Sequence, residues 1–354
     1  MQRLMRLVWR QQAPILIGIV LVFSLIGVLA GSRISHNWHK ADDNRTMVTE
    51  RVTYNRQKQY YVDEGNQRVS SKQAYLQDRL QVYRTNNKGL SYNAHGDYDE
   101  ENNFYLLVLS LLIGIIMISY PRYRHLNEWL QSMGHQRQTI FQATWLLYGG
   151  ALLLAGILTM GLTLGTLWLT IPVQYFSHFS MMAWLLKLVT DLLSMLLCMT
   201  FAAVIMLITT NAVVVFLLVN ACINDAQNEP TTLPLVRHLS QVYKYVTSHG
   251  QWELSLLVVL TVSCTVLGYF LSKRQTGERT GQPIIISSWR LPMLVVISLA
   301  VTLLMGNVGV NLLATDALVL GYGLIWILAL IGLAIWIYRP KWSERLWSLT
   351  RQLR

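Results

Sequence analysis

The sequence predicts an all-α polytopic membrane protein, with about eight transmembrane helices and a small extracellular domain between helices 1 and 2. Three observations predict it. The 354 residues are 53% hydrophobic and only 13% charged, where an average soluble domain carries about 25% charged residues. The deficit falls in long apolar runs, several of which reach the ~20 residues that a helix needs to cross a ~30 Å hydrocarbon core. The formal charge of +11 is gathered in short segments outside those runs.

That charge sets the topology. Arg3, Arg6 and Arg10 give the N-terminus +3, residues 122–144 carry +2, residues 273–290 carry +3 and the tail carries +4, while everything else sums to −1. Lys and Arg collect on the cytoplasmic flanks of membrane spans. Both termini and the two internal basic segments are therefore expected in the cytoplasm. The positive charge needs no nucleic-acid partner to explain it.

Residues 1–13 read MQRLMRLVWRQQA. Arg3, Arg6 and Arg10 share one helical face, with Leu4, Leu7 and Val8 on another, which suits a cytoplasmic interfacial helix. TM1 is expected at 14–31. Val28-Leu29-Ala30 resembles a signal cleavage site, but the apolar region is long for a signal peptide, so a retained span is favoured.

Residues 32–103 are polar, with eleven Lys/Arg, ten Asp/Glu and many Tyr. Leaving a basic N-terminus through TM1, they are expected outside the cell, as a small folded domain or as a disordered loop. QYYVDEGNQRVS alternates and turns at Glu64-Gly65-Asn66, which predicts a hairpin. Ser70 or Ser71 is placed to cap a helix running to Tyr83. His36, His39, Asp97, Asp99, Glu100 and Glu101 are of metal-ligating type, but without diagnostic spacing they read as solvated surface.

TM2 is expected at 104–120, followed by a polar segment at 121–142. Within it Trp129, Leu130 and Met133 stand at helical spacing among charges, which fits either a short amphipathic helix or a solvated loop. TM3, at 143–170, contains Gly149, Gly150, Gly156, Gly161 and Gly165. The last two form a GxxxG, suited to close packing within one subunit or between subunits. The run 182–223 would be about 60 Å long as one helix, so it is divided near Thr209-Thr210-Asn211 into TM4 (182–208) and TM5 (209–223). No Lys or Arg marks that turn. Parity supports the division, because one span fewer would place the last two basic segments outside. An extracellular loop (224–252), TM6 (253–271), a cytoplasmic segment (272–290), TM7 (291–312), TM8 (317–338) and an amphipathic cytoplasmic tail (339–354) complete the chain.

Catalytic signatures are missing. There is no GxxxxGK[ST] phosphate loop, HExxH, GxSxG or Cys/His nucleophile pair. Cys198, Cys222 and Cys264 lie in or beside apolar runs and read as small hydrophobes. Only Lys187 and Asp191 place ionisable groups within a span. They read as an i, i+4 ion pair or as a polar element of a substrate path. No catalytic, cofactor-binding or metal-binding residue is expected, and the chain is not expected to be an enzyme. Two functions remain: a transport subunit driven by a separate ATPase, or a non-transporting membrane sensor or scaffold whose outer domain is a receptor.

Two segments carry a family resemblance. LNEWLQSMGHQRQTIFQAT resembles the first cytoplasmic loop of bacterial ABC exporter permeases of the type-2 class, where a helix is followed by a segment of the kind "SLPxSRxxIF". Ser132, Met133, Arg137, Ile140 and Phe141 match, and Gly134 stands where Pro is usual. YFLSKRQTGERTG resembles the later inner segment "YxxRxxExxG" of the same permeases, through Tyr269, Arg274, Glu278 and Gly281. The two stretches cover about thirty residues, and the large outer loop after TM1 agrees as well.

The resemblance implies a permease subunit in a bacterial cell membrane. It implies cytoplasmic ABC ATPase partners that carry the ATP and Mg, and a second permease, identical or homologous. The 121–142 segment would be the coupling helix, contacting the ATPase through Glu128, Trp129, Leu130, Met133, Gly134 and Arg137. Arg274, Glu278 and Gly281 would form a second cytoplasmic motif. Export is the activity implied, and the Tyr-rich outer domain suits a peptide, an antimicrobial or a lipid-like substrate, but also an accessory protein. Closure of the ATPases would move the coupling helices as levers and tilt spans 1, 2 and 5. Eight spans exceed the commoner six, so the last two would be an addition.

Overall fold

The computed structural model describes residues 1–45, 52–55, 60–62, 68–85, 92–94, 100–209 and 250–274. TM7, TM8, the tail and nearly all of TM5, the 224–252 loop and the 272–290 segment lie outside the described residues. The described part is mostly helical. Its helices are α1 (Gln2–Asp43), α2 (Lys72–Leu80), α3 (Glu100–Tyr123), α4 (Leu126–Ser132), α5 (Arg137–Thr170), α6 (Met181–Ile208) and α7 (Gly250–Arg274). Five stretches are long and apolar enough to cross a membrane: Gln2–Asp43, Tyr105–Tyr123, Arg137–Thr170, Met181–Ile208 and Leu254–Lys273. They overlap the expected TM1, TM2, TM3, TM4 and TM6.

The ends of these helices differ from the expectation, most of all in α1. The interfacial helix expected at 1–13 is not a separate element. It runs without a break through Pro14 into the span and on to Asp43, 42 residues in all. Pro14 removes one backbone donor without ending the helix. Past residue 31 the helix continues because Ile34 and Trp38, four apart, have a core to enter and are 5% and 3% exposed. Hydropathy counts apolar residues and so stops where the polar residues begin, although the helical face does not. Along the apolar run, Leu16, Ile19 and Phe23 are buried while Ile17, Leu21, Leu25 and Leu29 are 50–64% exposed. A helix apolar on its exposed face as well suits a lipid surrounding.

The polar stretch after α1 is not wholly helical, in keeping with the hairpin expected there. Strands β1 (Thr53–Asn55), β2 (Tyr60–Val62) and β3 (Arg68–Val69) form an antiparallel sheet in the order β1-β2-β3, and β4 (Tyr83–Thr85) pairs with β5 (Tyr92–Ala94). The expected hairpin is β2–β3, with Tyr61 opposite Val69 and Val62 opposite Arg68. The expected cap is Ser71, whose Oγ accepts the Ala74 amide at 3.0 Å, the N-cap-to-N3 bond that satisfies an orphan donor of the first turn.

The chain forms two compact units. One comprises residues 12–106 and 150–194. Its core is Ile34 and Trp38 of α1, Leu80, Val82 and Tyr83 around the α2–β4 junction, Leu167 and Ile171 at the end of α5, and Phe176. The Trp38 indole Nε1 donates to the Leu80 carbonyl at 2.8 Å, and the Val82 amide donates to the Tyr175 carbonyl at 3.0 Å. In the same unit α1 crosses α5 on two glycines. A Cβ at Gly27 would meet the Thr159 backbone, and one at Gly31 would collide with the Thr166 hydroxyl. Small residues permit this approach, which in lipid supplies the packing that the hydrophobic effect does not.

The other unit comprises the described residues of 1–11, 107–149 and the chain from 195 onward. Gly114 of α3 lies against the Met199 carbonyl and Ala202 of α6, and Gly268 of α7 faces the Phe141 ring and Val204. The Trp145 indole donates to the Thr200 hydroxyl at 3.1 Å. α6 ends at Ile208, the boundary expected for TM4. The Thr209 carbonyl beyond it accepts from Arg122 Nη1 at 3.3 Å. Arg122 of α3 thus supplies a cation at the C-terminal end of α6, where it suits the negative end of the helix dipole.

Candidate functional site: the segment between α3 and α5

The polar segment expected at 121–142 folds as a short helix held between two reversals of the chain. The first is His125, in the left-handed region at φ 52° and ψ 22°. A non-glycine residue there costs roughly 1–2 kcal/mol. His125 Nδ1 lies 3.0 Å from Glu128 Oε2, both side chains being largely exposed. Glu128 stands in the first turn of α4, where the helix dipole favours an anion.

The second reversal is Gly134, at φ 87°. The Gly134 amide donates to the Gln131 carbonyl at 2.9 Å and the His135 amide to the Leu130 carbonyl at 3.2 Å. These are the paired bonds of a Schellman motif, which places a left-handed residue just past the helix end. Proline, locked near φ −65°, cannot occupy that position. The glycine that departs from the resembling family's pattern is the residue this turn requires.

The inward face of α4 is seated on the start of α1. Leu126 and Leu130, 7% and 0% exposed, cluster with Leu4, Val8, Ile140 and Ala143, with Met5, Leu7 and Leu147 packed around them. Each such leucine contributes about 1.5–3 kcal/mol when fully buried from water. The amphipathic face at residues 4 and 8 is therefore covered by protein. Sequence periodicity shows that this face is apolar but not what covers it.

The outward face presents Trp129 and Met133, 43% and 44% exposed, with Tyr123 just before the helix at 83%. Glu128 lies beside them, its side chain 61% exposed. Of the six residues expected to contact a partner, Glu128, Trp129, Met133 and Gly134 are exposed. Leu130 points inward and supports the helix instead. Arg137 is half-buried, and its Nε donates to Gln131 Oε1 at 2.8 Å, so it braces α4 against the first turn of α5. The arrangement is a small projecting knob whose tip sets Trp129 and Met133 beside the charges of Arg124, His125 and Glu128. It holds the parts of a docking surface.

Sequence reasoning left Leu4, Val8 and Gln131 out of this site. The first two were visible as an apolar face; Gln131 carried no signal.

The remaining expected residues lie elsewhere. Lys187 and Asp191 are both half-buried on α6, and each has an interaction partner. Arg274 is the last residue of α7, while Glu278 and Gly281 lie outside the described residues. Among the described residues no three His, Cys, Asp or Glu side chains come together to hold a metal ion. Compared with known family models, curated proteins and solved structures, the chain matches none.

Proposed function

We propose that the chain is the membrane-spanning permease subunit of a bacterial ABC transporter, an exporter of the type-2 class, with both termini in the cytoplasm. In this reading α4 is the coupling helix and docks in a groove of a separate ATP-binding subunit. The observation that carries the reading is the build of α4. It is a short helix between two apolar helices, fixed at both ends by left-handed residues, buried on one face and open at Trp129, Met133 and Glu128. A helix so fixed transmits a push as a unit. A solvated loop would absorb it.

The bias comes from nucleotide, which binds the closed ATPase pair better than the open one. Closure displaces α4, and with it the spans on either side. ATP and Mg belong to the partner, and a second permease completes the path. The substrate is of peptide, antimicrobial or lipid-like class, and Lys187 and Asp191 are the polar groups proposed along its route.

Co-purification of an ATP-binding subunit with the full chain from native membranes tests the assignment. Trp129→Ala with Met133→Ala is expected to reduce the bound ATPase tenfold or more while the permease still inserts. Exposed anchors of this kind typically account for about 2 kcal/mol or more of an interface. Undiminished capture by this variant, or no ATPase on the wild type, counts against the proposal.

A further inference from the structure

We propose that the basic face at the start of α1 binds anionic lipid headgroups, and that this binding steadies α4 through the seat the two helices share. Arg3, Arg6 and Arg10 recur at helical spacing and are all exposed. The opposite face, Leu4 and Val8, is 1% and 0% exposed and is taken up by Leu126, Leu130, Ile140 and Ala143. An amphipathic helix ordinarily inserts its apolar face into the membrane. Here that face is occupied by protein, and the face left for another molecule is cationic. Attraction to the membrane must then act through charge rather than insertion.

Position selects lipid over an acidic protein. α1 runs unbroken from these arginines into the apolar run that begins at Pro14. At 1.5 Å per residue, Arg10 precedes that run by about 6 Å along the axis and Arg3 by about 16 Å. The headgroup layer is about 5–7 Å deep on each side, and charge is felt about 8 Å beyond it at physiological salt. Arg10 therefore falls among the headgroups, Arg6 within electrostatic reach and Arg3 just past its outer edge, from which its long side chain extends back toward the surface. Trp9, 43% exposed, adjoins Arg10, and tryptophan favours this layer. A basic residue near an anionic surface adds about fivefold to the preference for it. Lipid phosphate bound along this face restrains the first three turns of α1, and Leu4 and Val8 carry the restraint to α4.

The inference needs only that α1 cross a membrane, so it stands or falls separately from the transport reading. The test uses the full chain in nanodiscs of phosphatidylcholine alone or with phosphatidylglycerol added, and follows amide exchange across residues 126–133. Wild type is expected to exchange several-fold more slowly with phosphatidylglycerol present. The combined Arg3→Gln, Arg6→Gln, Arg10→Gln variant is expected to lose the difference, and the combined Arg→Lys variant to keep it, which separates lost charge from lost fold. Equal exchange of wild type in both lipids overturns the proposal. So does a glutamine variant that still responds like wild type. A glutamine variant that keeps its lipid response but sheds an ATP-binding subunit also overturns it, and assigns the face to an acidic protein.

Discussion

Arg122 Nη1 donates to the carbonyl of Thr209 across 87 residues of chain, at 3.3 Å. The bond ties the end of α3 to the end of α6 and puts both ends on the same side. Arg122 occupies the last turn of α3, and no Lys or Arg stands at 209–211. The cation at the end of α6 thus comes from α3 and not from the local sequence.

Arg122→Gln is expected to lower stability by about 1.5–3 kcal/mol, the usual range for a hydrogen bond to a charged group. Thermal unfolding in detergent reads the loss. A Cys pair at 122 and 209 should cross-link with a short reagent in membranes, and failure to do so would separate the two ends.

The two GxxxG repeats are expected to behave oppositely. Gly27→Val and Gly31→Val place atoms against Thr159 and Thr166, and overpacking of this kind costs about 1–3 kcal/mol or more. Gly161 and Gly165 have nothing within 4 Å of an added Cβ. There Gly→Ala should be neutral, or stabilising by about 0.5–1 kcal/mol from reduced chain freedom. A thermal shift series over the four positions decides, and equal losses at both repeats would refute the crossing described here.

At Gly134 the backbone, not the space, is restrictive. Nothing lies within 4 Å of an added Cβ, yet φ is 87°. Gly134→Ala is expected to cost roughly 1–2 kcal/mol, Gly134→Asn less and Gly134→Pro most. Amide exchange at residue 135, whose N–H closes the outer bond of the turn, should quicken in that order: Asn, Ala, then Pro. If proline were harmless, the Schellman turn would be wrong.

Trp38→Phe keeps a ring in the aromatic cluster but removes the donor to Leu80. The Trp38 and Tyr175 rings lie 5.0 Å apart, so packing largely survives while a buried carbonyl loses its partner. The expected cost is about 1–3 kcal/mol. Proteolysis between residues 70 and 85 in the intact protein should accelerate accordingly, and an unchanged rate would show the bond to be dispensable.

The five helices long and apolar enough to cross a membrane were legible because each is a long run with few charges, and hydropathy needs nothing else. The β2–β3 pairing and the Ser71 cap were legible because local chemistry decides them. The extent of α1 was not, because Ile34 and Trp38 depend on a core assembled from distant segments. GxxxG was legible as a motif but not as a location. Gly161 and Gly165 face open space, while Gly27 and Gly31, with the same spacing in TM1, make the close contact. At the candidate site, the apolar positions 126, 129, 130 and 133 could be read, but not which of them turn inward. Leu130 and Trp129 are neighbours in sequence, and only the presence of Leu4 and Val8 assigns them opposite fates.

The threonines of α5 give its crossing with α1 two acceptors for each hydroxyl proton. Thr159 Oγ1 lies 2.8 Å from the Phe23 carbonyl across the gap and 2.8 Å from the Ala155 carbonyl of its own helix. Thr163 Oγ1 likewise lies 3.0 Å from the Gly27 carbonyl and 2.9 Å from the Thr159 carbonyl. Each hydroxyl proton has a home on either helix. A small slide of one rod past the other would therefore strand no donor in oil, and only the close fit at Gly27 and Gly31 would resist it.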